Sequence, residues 1–241
     1  MIDKNALFEF AKTFGIDISE DTANYFDLLA ERLVEKNKDY NLTSLLEPDE
    51  ILNKHIIDSL TAVPIILTTG ESGKVIDVGT GAGFPGLIIS AVLPKFEFTL
   101  LDSSEKKVNY ITETVRLNKS IFECVPKAIC SRAEDLARDD KYREKFDAVI
   151  SRAVASLNSL SELCVPLIKT GGHFIAMKGK NADEEIAEAE NAITELSIKL
   201  ANKYCFTLPD GSERQILDFV KTAPTIEKYP RRAAAIKKRP L

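Results

Sequence analysis

The acid Asp77, the glycines Gly79, Gly81 and Gly83 and the ring of Phe84 crowd into one stretch, Lys74–Gly86, which reads KVIDVGTGAGFPG. Glycines at the end of an apolar run let the backbone turn sharply and bring main-chain N–H groups against a ligand. Two frames fit. Gly81, Gly83 and Gly86 satisfy G-x-G-x-x-G, but that frame starts two residues after the apolar run Val75–Val78 has ended. The frame that follows the run directly is Gly79, Gly81, Gly83, whose third glycine comes one position too early for a dinucleotide fingerprint. With Asp77 ahead of it, the pattern becomes D-x-G-x-G-x-G. A tight turn without a ligand is the plainer alternative.

A second acid supports the ligand. The apolar run Phe96–Leu101 ends at Asp102-Ser103-Ser104. An acid at such a strand tip, roughly 20 residues past a glycine turn, can accept hydrogen bonds from both hydroxyls of a ribose. It can equally cap the helix after it, although Ser103 or Ser104 would do that alone. Farther on, Ser131-Arg132-Ala133-Glu134-Asp135 follows a third apolar run. Glu134 there is placed to accept from an adenine amino group, or to begin a helix. Arg152 follows the run Phe146–Ile150 and would face the site from the tip of a fourth strand, or pair with a nearby acid for structure.

The elements that must position these groups alternate. Apolar periodicity predicts helices from Asp3 to about Leu67, with a polar turn at Asn37–Thr43 and a helix from about Pro48 to Leu60. Strands are expected at Val75–Val78, Phe96–Leu101, near Cys124–Ile129, at Phe146–Ile150 and at His173–Lys178. Helices are expected at Glu105–Leu117, Leu157–Ile168 and, as one long acidic helix, Asp183–Leu200. Two closing strands near Lys203–Leu208 and Arg214–Lys221 would form an antiparallel hairpin. The fold class is α/β, with three parts: an N-terminal helical cap (1–70) over the carboxyl edge of the sheet, a doubly wound core (71–225) and a basic tail (226–241).

Composition sets the bounds. The chain has 241 residues, 44% of them hydrophobic, and carries a net charge of -5, so nothing global argues for nucleic acid. The tail runs against that balance: Arg231, Arg232, Lys237, Lys238 and Arg239 have no acid among them, a local patch suited to phosphates or a solubilising end. Cys124, Cys130, Cys164 and Cys205 form no C-x-x-C pair and read as reduced core residues, with no metal site. The N-terminus is acidic and lacks a long apolar run, and no stretch approaches a membrane span, so the expected location is the cytoplasm, away from membranes.

The D-x-G-x-G-x-G pattern resembles the first motif of Rossmann-like S-adenosylmethionine-dependent methyltransferases. The longer pattern is more specific. Asn41-Leu42-Thr43, His55-Ile56-Ile57-Asp58-Ser59-Leu60, Asp77–Gly86, Leu101-Asp102-Ser103, Ser131–Asp135, Ser151-Arg152-Ala153-Val154-Ala155 and Tyr229-Pro230-Arg231-Arg232 together resemble the glucose-inhibited division protein B family nearly end to end. That resemblance implies a seven-stranded Rossmann-like methyltransferase sheet, S-adenosylmethionine as cofactor without a metal, and methylation of guanine N7 in bacterial 16S ribosomal RNA. The RNA could be met naked, in the small subunit or in an assembly intermediate. It also implies that Gly79, Phe84, Ala133, Glu134 and Arg152 line the cofactor pocket. The tail departs from the family, with Ala234 and Ile236 where a Gly and a Pro are usual.

What is missing fits that chemistry. There is no Asn/Asp-Pro-Pro-aromatic motif for exocyclic amines and no Pro-Cys nucleophile for pyrimidine C5. Guanine N7 needs neither, because it is a free acceptor on an exposed base edge. No general base is expected. Arg152 and Asn41 are candidate substrate orienters, His55 a packing residue, and Arg231, Arg232, Lys237, Lys238 and Arg239 candidate RNA contacts. The competing readings are a methyltransferase for a small molecule or protein, which the negative charge favours, and a binding module without catalysis.

Overall fold

The computed structural model describes residues 1–241. Helix α1 (Lys4–Thr13) is capped by Asp3 and α2 (Glu20–Tyr40) by Ser19, each side chain accepting a first-turn N–H. The expected third helix forms but is not uniform: α3 (Pro48–Glu50) and α4 (Asp58–Leu60) flank a π-helical stretch, Ile51–Ile57. Such widened turns commonly mark functional positions. Helix α5 (Val63–Leu67) then leads to the sheet.

Strand β1 (Gly73–Val78) is followed by α6 (Gly86–Val92), β2 (Phe96–Asp102), α7 (Glu105–Leu117) and β3 (Lys127–Cys130). A four-residue turn, α8 (Ala133–Leu136), precedes β4 (Phe146–Arg152) and α9 (Leu157–Cys164). Next come β5 (Ile168–Lys178), α10 (Ala182–Glu188), α11 (Glu190–Glu195), β6 (Ile198–Thr207), β7 (Glu213–Lys221) and α12 (Ala233–Lys238). The seven strands lie in the order β3-β2-β1-β4-β5-β7-β6, with β7 antiparallel to both neighbours and the others parallel. Chain order reverses between β1 and β4, and the crevice outside their carboxyl ends is where such sheets bind ligands.

Strand alternation splits the core into two layers. Val75, Ala148, Ile150, Ile175 and Ile216 point to the face covered by α1, α2, the π-helical segment and α6. Ile76, Val149, Phe174, Ala176, Leu217 and Phe219 point to the face covered by α9, α10 and α11. Each of the Val, Ile, Leu and Phe side chains among them, taken out of water, contributes about 1.5–3 kcal/mol. The N-terminal helices therefore share one apolar layer with the sheet.

Three expectations need correction. The long acidic helix is two helices, because Ala189 leaves helical geometry and Ser197, at φ 53°, turns Ile198–Leu200 into β6. The expected Leu157–Ile168 helix stops at Cys164, and Ile168 already belongs to β5. Only Cys164 is a core cysteine; Cys130 and Cys205 are exposed and Cys124 is half-buried. No helix is long and apolar enough to cross a membrane.

Candidate active site

At the tip of β1 the glycine loop is pinned from two sides. The Gly79 and Thr80 N–H groups donate to the Leu101 carbonyl of β2, and the Gly81 N–H donates to Asp102 Oδ2 at 3.0 Å. Asp102 Oδ1 accepts from the Ser104 N–H at 2.9 Å, so one carboxylate fastens the loop and the start of α7 together. From below, Asp77 accepts from Thr80 Oγ1 at 2.7 Å and from the Gly86 N–H at 2.8 Å. Asp77 is fully buried and its Oδ1 has no partner. Desolvation raises its pKa to about 6, against the Thr80 and Gly86 hydrogen bonds, which pull the other way.

A pocket of about 320 Å³ opens beside this loop, within the range of small-ligand sites. It is lined by Gly79, Asp102 and Ser103 from the first two strand tips and by Ala133 and Glu134 from α8. Lys107 and Arg132, which sequence reasoning left without a role, bring positive charge to the same rim. Three features suit S-adenosylmethionine. Asp102 is buried at the tip of β2, where a ribose would meet it, and still has lone pairs to accept hydroxyl donors. The buried Glu134 carboxylate caps no helix: α8 has Arg132 as its N-cap residue with no side-chain cap bond, so the acid is left for an amino donor. Gly79 holds φ 75°, and a Cβ there would strike Val154.

The other residues expected in this pocket lie elsewhere. Asp77 sits beneath the loop, outside the cavity, and serves as its fastener. Gly83 packs against α6, where a Cβ would come 2.3 Å from Leu87 Cδ1. Phe84 turns away to stack on the His55 ring at 4.6 Å, with planes 4° apart. Arg152 belongs to a second pocket.

That second pocket, about 590 Å³, shares Ala153 and Val154 with the first. Its walls carry four cations, Lys54, Arg152, Lys178 and Arg214, and two acids, Asp58 and Glu185. Arg152 donates to Asp58 Oδ2 at 2.9 Å and to the Lys54 carbonyl at 3.0 Å. Arg214 Nε donates to Asp58 Oδ1 at 3.0 Å, so the buried Asp58 holds two guanidiniums. Arg152 NH2 lies 3.4 Å from His55 Nδ1, and His55 Nε2 lies 3.1 Å from Thr43 Oγ1. A guanidinium can only donate, so Nδ1 accepts and the ring is neutral with its proton on Nε2. Burial first, and then the charges of Arg152 and Lys54, push the His55 pKa down to about 3. The packing role expected of His55 holds, and it also positions Arg152.

Asn41 is the left-handed C-cap of α2, at φ 50°, exposed and outside the lining of both pockets. Its neighbour Asn37 does local work instead, accepting from the N–H groups of Leu42 and Thr43. The expected RNA contacts of the tail divide into one that is held by an acid and four that are exposed. Arg231 is bound by Glu162 of α9 through both Nε and NH2, and its N–H donates to Glu162 Oε1 as well. Glu162 is completely buried, so Arg231 is a structural partner and not a free RNA contact. Arg143 further anchors the tail through the carbonyls of Thr225 and Tyr229. Arg232, Lys237, Lys238 and Arg239 are exposed.

Comparison with known proteins places the chain in a family. Residues 22–217 match the family model described as rRNA small subunit methyltransferase G. The "Ribosomal RNA small subunit methyltransferase G" of Desulfitobacterium hafniense is 40% identical over 94% of this chain and 92% of its own. The protein of the same name from Desulforamulus reducens is 40% identical over 98% and 97%. Among solved structures, the ribosomal protein L11 methylase of Lactobacillus delbrueckii covers 70% of this chain and 79% of its own, with a TM-score of 0.53 at 16% identity, a likeness of fold. With most of its length matched by the family model and whole-chain relatives at this identity, the chain belongs to the rRNA small subunit methyltransferase G family.

Proposed function

We propose that this protein transfers a methyl group from S-adenosylmethionine to N7 of a guanine in small-subunit (16S) ribosomal RNA. The observation that carries the reading is the meeting of two pockets at Ala153 and Val154, one fitted to a nucleoside and the other cationic and open. When bound in the first pocket, S-adenosylmethionine supplies a sulfonium methyl that passes to an incoming lone pair while the C–S electron pair returns to sulfur. Asp102 and Glu134 are the residues that would hold its ribose and adenine, and the side-chain-free turn at Gly79 leaves room for it against the loop.

The protein's share of the chemistry is positioning. N7 carries a lone pair and no proton, so no side chain has to remove one; holding the base in line accounts for up to roughly 7–11 kcal/mol of the barrier. A base reaching the second pocket must leave its stack, which single-stranded RNA permits most easily. Lys54, Arg152, Lys178 and Arg214 give that pocket the charge to receive an RNA segment. The exposed Arg232, Lys237, Lys238 and Arg239 form a separate positive surface at α12, which packs beside α9, the helix that contributes Leu163 to the first pocket. The RNA is met either naked or in a small-subunit particle.

The test is methyl transfer from labelled S-adenosylmethionine to small-subunit RNA from cells lacking the enzyme, presented naked and as assembled subunits. Products are mapped by cleavage specific for 7-methylguanine. A single cleaved site is the expected result, and the better substrate identifies the state of the RNA that is recognised. Label without that cleavage would replace N7 by another acceptor. Label in a small molecule or protein instead would favour the alternative substrate class.

A further inference from the structure

The second pocket holds an ion pair that the reaction as described does not use. Lys178, the last residue of β5, donates to Glu185 Oε2 at 2.7 Å and to the Ala155 carbonyl at 2.8 Å. Glu185, on α10, also accepts the Leu157 N–H on Oε2 at 2.8 Å. Both side chains line the pocket. An ammonium has three protons, and two of these are engaged here; a carboxylate has two oxygens, and Oε1 of Glu185 has no partner within the protein. The pair therefore presents one free donor beside one free acceptor.

Resting on the functional reading above, we infer that the Lys178–Glu185 pair reads the target base, Lys178 donating to guanine O6 and Glu185 Oε1 accepting from guanine N1–H. Guanine shows an acceptor followed by a donor along that edge, whereas adenine shows the reverse, an amino donor at C6 and an acceptor at N1. An adenine in the same position would set its amino group against an ammonium and its N1 lone pair against a carboxylate. The order along the chain fits. Ala153 and Val154, the wall shared with the cofactor pocket, come first; Ala155, bound to Lys178, is next; Leu157, bound to Glu185, follows. The edge of guanine runs in the same order, N7, then O6, then N1. Methylation also leaves a positive charge on the ring and makes N1–H more acidic. Part of that charge is already present in the transition state, so a carboxylate on that proton holds the transition state more tightly than the starting base, which is the differential binding catalysis requires. Of the pocket's two acids, Glu185 is the one with an oxygen left free. Both Asp58 oxygens are held by arginines, and Arg152 is held by Asp58 and Lys54.

The experiment compares wild type with Glu185→Gln and Lys178→Met on two RNAs, the natural one and one in which the methylated guanosine is replaced by adenosine. Calorimetric affinity for S-adenosylmethionine and melting temperature are measured alongside. Glu185→Gln is expected to lower kcat/KM on guanine about 10- to 100-fold, as loss of a specific base contact does. It should also narrow the guanine-to-adenine ratio at least tenfold and leave cofactor affinity within twofold. Lys178→Met is expected to narrow the ratio in the same direction. Glu185→Asp, which keeps the acceptor, is expected to retain the ratio while slowing both substrates. Proportional loss on both RNAs in both variants, or an unchanged rate on guanine, would overturn the inference and leave the pair as a clamp for Ala155 and Leu157. Failure of wild type to form 7-methylguanine while still binding S-adenosylmethionine would instead overturn the functional reading, and the inference with it.

Discussion

Val154 stands over Gly79: a Cβ built on Gly79 would come 2.4 Å from Val154 Cγ2, well inside contact distance. Gly79 also holds φ 75°, so the tip of β1 tolerates no side chain on two independent grounds. Gly79→Ala is expected to weaken S-adenosylmethionine binding at least tenfold without unfolding the chain. Adding Val154→Ala removes the collision but not the left-handed backbone, which costs an L-residue about 1–2 kcal/mol. Calorimetry on the single and double variants separates the two contributions. Wild-type affinity in Gly79→Ala would mean that the Ala153–Val154 wall yields freely and is not a fixed partition.

Asp102 joins the Gly81 and Ser104 N–H groups through its two oxygens. Asp102→Ala releases both and removes the acceptor proposed for the ribose, whereas Asp102→Asn keeps one acceptor. Hydrogen bonds to a charged group contribute about 1.5–3 kcal/mol each. Cofactor affinity is therefore expected to fall roughly 10- to 100-fold in the alanine variant and less in the asparagine variant. Equal losses in the two would show that the charge matters and the acceptor geometry does not.

The tail separates into a structural cation and surface cations. Arg231→Ala leaves the Glu162 carboxylate buried and unpaired, which costs about 3 kcal/mol, the lower end for broken buried pairs because Arg231 is itself partly exposed. A lower urea midpoint measures that loss, and adding Glu162→Gln should recover part of it. Lys237→Glu with Lys238→Glu is expected to leave the midpoint unchanged. These exposed charges should instead raise the KM for RNA and flatten its salt dependence, by roughly one counterion per lost phosphate contact. An unaltered KM and salt slope would remove α12 from the RNA surface.

These outcomes show where sequence was sufficient. The strands of the core and the closing hairpin were readable because apolar runs and turn residues act locally, and α7 was placed at its observed bounds, Glu105–Leu117. That Gly79, Asp102, Ser103 and Glu134 line one pocket was readable because strand tips in a doubly wound sheet converge, whereas Ala133 came from the family resemblance. Arg231 was misread, and the partner of Arg152 could not be named, because their acids lie 69 and 94 residues away in the chain, at Glu162 and Asp58. No local pattern announces such a partner. Lys178 was missed for a smaller reason: it ends β5 as Arg152 ends β4, and the strand-tip rule was not carried on to the fifth strand.

His55 and Asp77 give the protein two opposed responses to acid. His55 titrates near 3 in the folded chain against 6.5 ordinarily, so below about 6.5 the unfolded chain binds the proton that the folded one refuses. Stability from this residue is present above 6.5 and is lost as pH falls toward 3. Asp77 titrates near 6 against 3.8, so between these values the folded chain binds the extra proton, and stability from this residue declines as pH rises from about 4 to 6. Each slope approaches 1.4 kcal/mol per pH unit at its steepest. Over pH 4 to 6 they largely cancel in the wild type, and single substitutions should uncover them. Relative to wild type, Asp77→Asn should gain stability as pH rises from 4.5 to 6.5, and His55→Gln should lose it, each by up to about 2 kcal/mol. Urea unfolding across that range measures both differences, and the shared response of the surface carboxylates drops out of each. Differences of the same sign, or flat ones, would show that the two groups do not titrate as their burial dictates.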